Sequence, residues 1–316
     1  MALLIIGESP RTPDFAKATQ ARAPDREVRL WPNVGNAADI RYALAWGPPP
    51  GELKAYANLQ MIVSVGAGVD HLFRDPELPN VPIVRYVDHD LTARMTGYVV
   101  LHALLHCRRM TEYADQQRRA IWNHLPEPAP QAVRVGVMGA GVLGQASVQA
   151  LGAVGFQVNA WSRTAKQISG ARCFAGQDGL ADFLAETDIL VVLLPLTPST
   201  KGLINAGLLA QLSQRGRPRR LPGPVLINAG RGGLQVETDI LQALDDRSLY
   251  AASLDVFETE PLDRDSPLWQ HPRVVITPHN AAESTTESIV AYFLEQVAHH
   301  EAGQALDNVV DRSLGY

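Results

Sequence analysis

Cysteine is almost absent from this chain: two in 316 residues, Cys107 and Cys173, far apart and in no C-x-x-C pairing. That excludes a disulfide framework and offers no zinc site, and it fits two reduced thiols in a cytoplasmic protein. Long apolar runs are missing too; none approaches the roughly 18 residues that would span a bilayer. The opening segment, Met1–Ser9, is too short for a signal peptide and lacks its basic flank and cleavage site, so it is expected to be a first strand. Net charge is small: 28 Lys and Arg against 33 Asp and Glu leave a formal −5. Neither a nucleic-acid binder nor a membrane-surface binder is expected from that balance. Repeats and low-complexity tails are also lacking.

What remains is an ordinary globular composition, 46% hydrophobic and 19% charged, on a chain long enough for two domains. Its organising stretch is Val133–Gly144, VRVGVMGAGVLG. Val133, Val135 and Val137 alternate as a strand would and run into Gly139, Gly141 and Gly144 at G-x-G-x-x-G spacing. A helix-like segment follows, then a second strand, Phe156–Trp161. In such a βαβ unit the first glycine permits the turn, the second lets backbone approach a pyrophosphate, and the third lets helix pack on strand. Val142 and Leu143 open the helix, whose unpaired N–H groups suit phosphate.

Upstream, short strands are expected at Leu3–Ile6, Val28–Trp31, Tyr42–Trp46, Met61–Val65 and Ile83–Tyr86, alternating with helical or turn segments. That rhythm implies a parallel, helix-covered sheet. VGAGVD, Val65–Asp70, reads from its residues as a glycine turn whose N–H groups could also form a small anion nest. One long helix is expected over Leu91 to about Ala120. His102 and His106 lie four apart on it, but with no third ligand nearby they read as packed or solvated histidines.

Downstream, the second strand ends in Ser162 and Arg163, where an NAD-preferring fold carries an acid for the ribose diol. A hydroxyl and a guanidinium there, with Lys166 close by, suit a 2′-phosphate instead. Further strands are expected at Asp188–Leu194, at Leu226–Ile227 leading into a glycine-rich turn, at Ala251–Phe257 and at Val274–Thr277. A helix is expected over Leu203–Leu212 and another over Glu283–Gly303, while the arginine-rich Ser213–Pro224 reads as a surface loop. Leu194, Pro195 and Thr200 sit in the loop after the third of these strands, on the carboxyl edge that holds ligands in open α/β sheets. The same edge receives Arg231, Glu260 and His279. A guanidinium to hold a carboxylate, an imidazolium to protonate an oxygen and a carboxylate behind it are what carbonyl reduction needs.

VGAGVD, GAGVLG at Gly139–Gly144, LLPLTPST at Leu193–Thr200, INAGRGG at Ile227–Gly233, LDVFETEPL at Leu254–Leu262 and TPHNAA at Thr277–Ala282 follow one another along the chain. In this order they resemble the D-isomer-specific 2-hydroxyacid dehydrogenase family, and most its glyoxylate/hydroxypyruvate reductase A branch. WSRT after the second strand, SPLWQHPRV at Ser266–Val274 and the terminal DRSLGY carry the branch resemblance. It implies Arg231, Glu260 and His279 as catalytic residues. Ala67 and Gly68 become substrate-carboxylate contacts with Trp46 as a pocket wall, and Ala229, Gly230 and Asp255 join the cofactor residues. NADPH is the implied preference, NADH remaining possible, with a homodimer and no metal. Two departures stand out: Gly97-Tyr98 where many relatives carry Glu-His, and an unusually long Ser213–Pro224 segment.

The expected fold is α/β, with two Rossmann-like domains, one flavodoxin-like and one dinucleotide-binding, parallel sheets in both and a cleft between them. Residues 1–97 and 286–316 would form a substrate-binding domain and residues 98–285 the NAD(P)-binding domain. The expected reaction is NADPH-dependent reduction of a small 2-keto acid, glyoxylate or hydroxypyruvate. A relative acting on a larger 2-keto acid or using NADH is the neighbouring alternative. A nucleotide-sensing binding protein on the same fold is the alternative of another class.

Overall fold

A computed structural model describes every residue, Met1–Tyr316. The chain forms two compact units, Met1–Leu91 with Ser284–Tyr316, and Thr92–Glu283.

The first unit holds strands β1 (Ala2–Gly7), β2 (Glu27–Leu30), β3 (Ile40–Trp46), β4 (Met61–Ser64) and β5 (Ile83–Arg85) in the order β2-β1-β3-β4-β5, every pair parallel. That is the flavodoxin-like order. β1 and β4 are continuous apolar runs buried along nearly their whole length, as strands covered on both faces must be. Helices α1 (Thr12–Arg22) and α2 (Asp70–Phe73) lie in this unit, and α3 (His89–Cys107) begins in it.

The second unit continues with α4 (Met110–Arg118), β6 (Arg134–Met138), α5 (Val142–Ala153), β7 (Gln157–Ser162), β8 (Ala171–Ala175) and α6 (Leu180–Ala185). Then come β9 (Ile189–Val192), α7 (Ala206–Leu209), β10 (Val225–Asn228), α8 (Glu237–Asp245), β11 (Ala251–Leu254) and β12 (Val274–Ile276). The seven-stranded parallel sheet runs β12-β11-β10-β9-β6-β7-β8. Its order reverses between β6 and β9, which is where open α/β sheets hold their ligands. α9 (Thr286–Glu301), capped by the Thr285 hydroxyl on the Ser288 N–H, packs on α1. The first unit is therefore built from both ends of the chain.

Two expectations change. The single helix over 91–120 is two, because Arg109 adopts φ 55° between α3 and α4. Apolar spacing ends near Leu105, and α4 buries no residue, so nothing drives one helix onward. Arg109 is held in the break by Glu112 and the Pro126 carbonyl. The helix over 203–212 shrinks to α7, started by the Asn205 side chain accepting from the Leu208 N–H. β8, α6 and α8 are additions.

The basic Ser213–Pro224 segment is anchored at its root. The Asp188 carboxylate is fully buried and accepts from the Ser213 hydroxyl at 2.6 Å, from Arg134 Nη2 at 2.6 Å, and from Arg134 Nε and backbone N–H at 3.0 Å. Farther out, Arg215 pairs with Asp182 on the surface.

Candidate active site

The glycine turn is fixed by contact. Gly139 has φ +115°, and a Cβ on Gly144 would lie 1.8 Å from the Gly139 carbonyl oxygen. Only glycine lets α5 sit that close to the end of β6. At Gly141, by contrast, an added Cβ would meet nothing within 4 Å, and α5 begins there without a side-chain cap. The first N–H groups of α5, around Val142 and Leu143, thus face a space with no protein side chain bonded to them. They fit a pyrophosphate. Lys166 Nζ donates to the Ala140 carbonyl at 2.9 Å, tying the following loop to this turn. At the end of β7, Ser162 is largely buried and donates to the Thr164 carbonyl, while Arg163 is exposed. In the loop after β9 the Thr200 hydroxyl donates to the Pro195 carbonyl at 2.8 Å and accepts from the Thr197 N–H, holding residues 195–200 in a closed turn; Leu194 is buried at its root.

The turn after β10 is braced from inside. Asn228 Nδ2 donates to Gln235 Oε1 at 2.8 Å and also reaches the Arg231 carbonyl; Asn228 Oδ1 accepts from the Gly230 N–H, and Gln235 donates to the Val256 carbonyl. Gly232 lies so near Phe257 that a Cβ would fall 1.7 Å from its carbonyl oxygen. Ala229 and Gly230 are buried in this packing, and Arg231 is delivered at its edge in extended conformation.

Glu260 and His279 meet directly. Nδ1 of His279 lies 2.6 Å from Glu260 Oε2, and Glu260 Oε1 accepts from the Phe257 N–H at 3.0 Å. Both side chains are about one-third exposed, which leaves the ring reachable. Burial alone would raise the Glu260 pKa. The hydrogen bond and charge of His279, the Phe257 N–H and the charge of Arg231 outweigh it and hold the carboxyl below its ordinary value. The Arg231 field at Glu260 joins the three expected residues into one electrostatic group.

His279 has φ 54°, a left-handed conformation that a histidine adopts only when held there. Its N–H donates to the Asp255 carbonyl at 2.8 Å. The Asp255 carboxylate accepts from the Thr277 hydroxyl at 2.6 Å and from the N–H groups of Asn280 and Ala281 at 3.0 Å. Asp255, which the resemblance gave to the cofactor, is 1% exposed and brackets the His279 loop from within. The Tyr98 hydroxyl reaches Thr277 at 3.0 Å, so the departure at Gly97-Tyr98 supports the same loop. His102 and His106 close on one hydroxyl, that of Ser253, at 2.7 and 2.8 Å. Burial pushes their pKa values down to about 4 and about 3. They are packing residues joining α3 to β11.

In the first unit, the turn after β4 leaves the N–H groups of Ala67 and Gly68 with no acceptor in the chain. The Trp46 ring backs this turn: a Cβ on Gly66 would lie 2.9 Å from it.

The roles of Asn228, Gln235 and Thr277 escaped the sequence. Asn228 and Thr277 stand inside motifs that carry the resemblance and Gln235 two residues beyond one, but nothing in the pattern distinguishes a bracing side chain from a lining one.

Comparison with known proteins bears on this geometry. The sequence profile of the D-isomer specific 2-hydroxyacid dehydrogenase NAD binding domain matches residues 100–281. The chain belongs to that family. It is accordingly an NAD(P)-dependent oxidoreductase. It is 40% identical over 301 residues to glyoxylate/hydroxypyruvate reductase A of Serratia proteamaculans (strain 568), covering 93% of each. Among solved structures it matches a probable 2-hydroxyacid dehydrogenase from Rhizobium etli CFN 42, in complex with NADP, HEPES and L(+)-tartaric acid. That match has a TM-score of 0.93 and 43% identity, over 100% of this chain and 99% of the other. It also matches the NADPH-dependent glyoxylate/hydroxypyruvate reductase of Sinorhizobium meliloti, in complex with NADP and sulfate. There the TM-score is 0.92 at 42% identity, with the same coverage. No helix is long and apolar enough to cross a membrane.

Proposed function

We propose that this protein reduces glyoxylate or hydroxypyruvate, to glycolate or D-glycerate, with NADPH. The observation that carries the reading is the His279–Glu260 pair at 2.6 Å within the field of Arg231. NADPH, when bound, supplies the hydride; Gly139–Gly144, Ser162, Arg163 and Lys166 are the residues that would hold it, with Arg163 offered to the 2′-phosphate.

The chain's own residues do the rest. Arg231 pairs with the substrate carboxylate and polarises the adjacent carbonyl. In the first unit, the unmet N–H groups of Ala67 and Gly68 are offered to a carboxylate, with the Trp46 ring behind their turn. An alkoxide is too basic to form without a donor beside it. Glu260 holds Nδ1–H of His279, so Nε2 presents the proton to the carbonyl oxygen, and the negative carboxylate stabilises the imidazolium. Asp255 keeps His279 in its left-handed conformation while this happens. The nucleotide-sensing alternative has no use for a histidine–carboxylate pair strained into register.

Self-association of the second unit into a homodimer is part of this reading, supported by the large apolar side chains it exposes between 101 and 122: Leu101, Met110, Ile121 and Trp122. A cytoplasmic setting fits two free thiols.

The test is oxidation of NADPH and NADH with a panel of 2-keto acids graded in size. Turnover of glyoxylate and hydroxypyruvate, faster with NADPH, is the expected result. Activity confined to bulky 2-keto acids, or to NADH, would replace this reading with the neighbouring one. No turnover with any would replace it with the sensor.

A further inference from the structure

We propose that His71 and Ser64 are positioning residues for substrate binding, fixing the shape of the turn that presents Ala67 and Gly68. This rests on the reading of that turn as the 2-keto acid carboxylate site. Neither residue belongs to the proposed catalytic set, and Ser64 is fully buried.

The hydrogen bonds around them fix their own direction. The Gly47 N–H donates to His71 Nδ1 at 3.1 Å, so Nδ1 carries the lone pair and Nε2 carries the proton. Nε2 lies 3.1 Å from the Ser64 hydroxyl and therefore donates to it. Ser64, fully buried at the end of β4, has one proton left to give. It gives that proton to the Gly68 carbonyl at 3.3 Å, and its oxygen also accepts from the Gly66 N–H at 3.3 Å. One hydroxyl thus grips the turn on both sides of Ala67. All its bonding capacity is used, and only one tautomer of His71 satisfies the set.

Aromatic packing supports the same arrangement. The rings of Trp46 and His71 lie 4.5 Å apart, and the Trp46 ring fills the space beside Gly66. Gly47, which follows Trp46 at φ +59°, places its N–H on His71. His71 thereby couples the pocket-wall turn after β3 to the carboxylate turn after β4. Loss of its bond to Ser64 would free the hydroxyl to rotate, and with it the orientation of the Ala67 and Gly68 N–H groups. Such a change weakens binding of a carboxylate without touching the proton donor or the cofactor turn.

The experiment compares Ser64→Ala, His71→Asn and His71→Gln with the unaltered enzyme, measuring KM and kcat for glyoxylate and the Kd of NADPH. Asparagine can replace Nδ1 toward Gly47 but does not reach Ser64. Glutamine reaches Ser64 with an N–H donor. Ser64→Ala and His71→Asn should raise KM about tenfold, the scale of one hydrogen bond, with kcat changed less than about threefold. His71→Gln should bring KM back to within about threefold of the unaltered enzyme, and NADPH should bind all variants equally. Unchanged KM in both Ser64→Ala and His71→Asn would overturn the proposal. So would a joint loss of kcat and NADPH affinity with no rescue by glutamine, the mark of a merely structural role. His71 is only partly buried, so its two variants decide the matter should Ser64→Ala fold poorly. Failure of the unaltered enzyme to reduce any 2-keto acid would instead refute the carboxylate site itself.

Discussion

Glu260→Gln tests the coupling at the centre of the site, and its outcome follows from three atoms. Glu260 Oε1 accepts from the Phe257 N–H, and Oε2 accepts from His279 Nδ1. Glutamine has one acceptor for these two donors. If its oxygen stays with Phe257, its NH2 group faces Nδ1, which suits a bare nitrogen and opposes the imidazolium. The substitution therefore removes the negative charge and penalises the protonated ring together. In an effective dielectric near 20, a full charge pair at about 4 Å is worth roughly 4 kcal/mol. Both groups are about one-third exposed, so solvent screening brings this down toward about 1 kcal/mol. At about 1.4 kcal/mol per factor of ten, that loss should lower kcat/KM for glyoxylate about fivefold. The assay is glyoxylate reduction at neutral pH, with the Kd of NADPH measured beside it. NADPH binding should hold. An unchanged kcat/KM would refute the coupling.

In the unaltered enzyme Glu260 is held below its ordinary value, so its ionised form stabilises the fold above that value, and the contribution fades as pH falls through the depressed one. Thermal stability of Glu260→Gln should accordingly converge on that of the unaltered enzyme as pH falls through that depressed value and fall short of it above the ordinary one. Arg163→Asp should erase or reverse the preference for NADPH, and equal kcat/KM for both cofactors in the unaltered enzyme would remove the role given to Arg163. Arg231→Lys keeps the charge but loses the two-pronged geometry, so kcat/KM for glyoxylate should fall while NADPH binding, read by fluorescence, holds; a near-normal kcat/KM would contradict the anchor. Asp188→Ala leaves Arg134 and Ser213 without their buried acceptor and should cost about 3–5 kcal/mol in denaturant unfolding; a cost under about 1 kcal/mol would show that the Ser213–Pro224 segment is not anchored there.

Much of the architecture was legible because parallel strands buried on both faces are plain apolar runs. LLII at 3–6, MIVS at 61–64 and ILVV at 189–192 leave little choice of element, and their alternation with helices implies the layers. β8 was not legible: ARCFA is an edge strand, only partly buried, and its sequence is mixed to match. The break at Arg109 depends on a side chain reaching a carbonyl seventeen residues away, which no local pattern encodes. At the site, Arg231, Glu260 and His279 were legible because glycine and proline fix the turns around them. Their support was not. Asn228, Gln235, Asp255 and Thr277 act through buried hydrogen bonds between strand ends that only the folded register brings together, and Ser64 and His71 do the same beneath the other turn.

The most direct test of the whole account sets NADPH binding beside NADPH oxidation in the unaltered enzyme and in His279→Gln, with glyoxylate as substrate. The account predicts equal cofactor affinity in the two and a turnover rate lower by roughly 10²–10⁴ in the variant, the range of a lost general acid. A variant that binds NADPH and still reduces glyoxylate at close to the normal rate would contradict it.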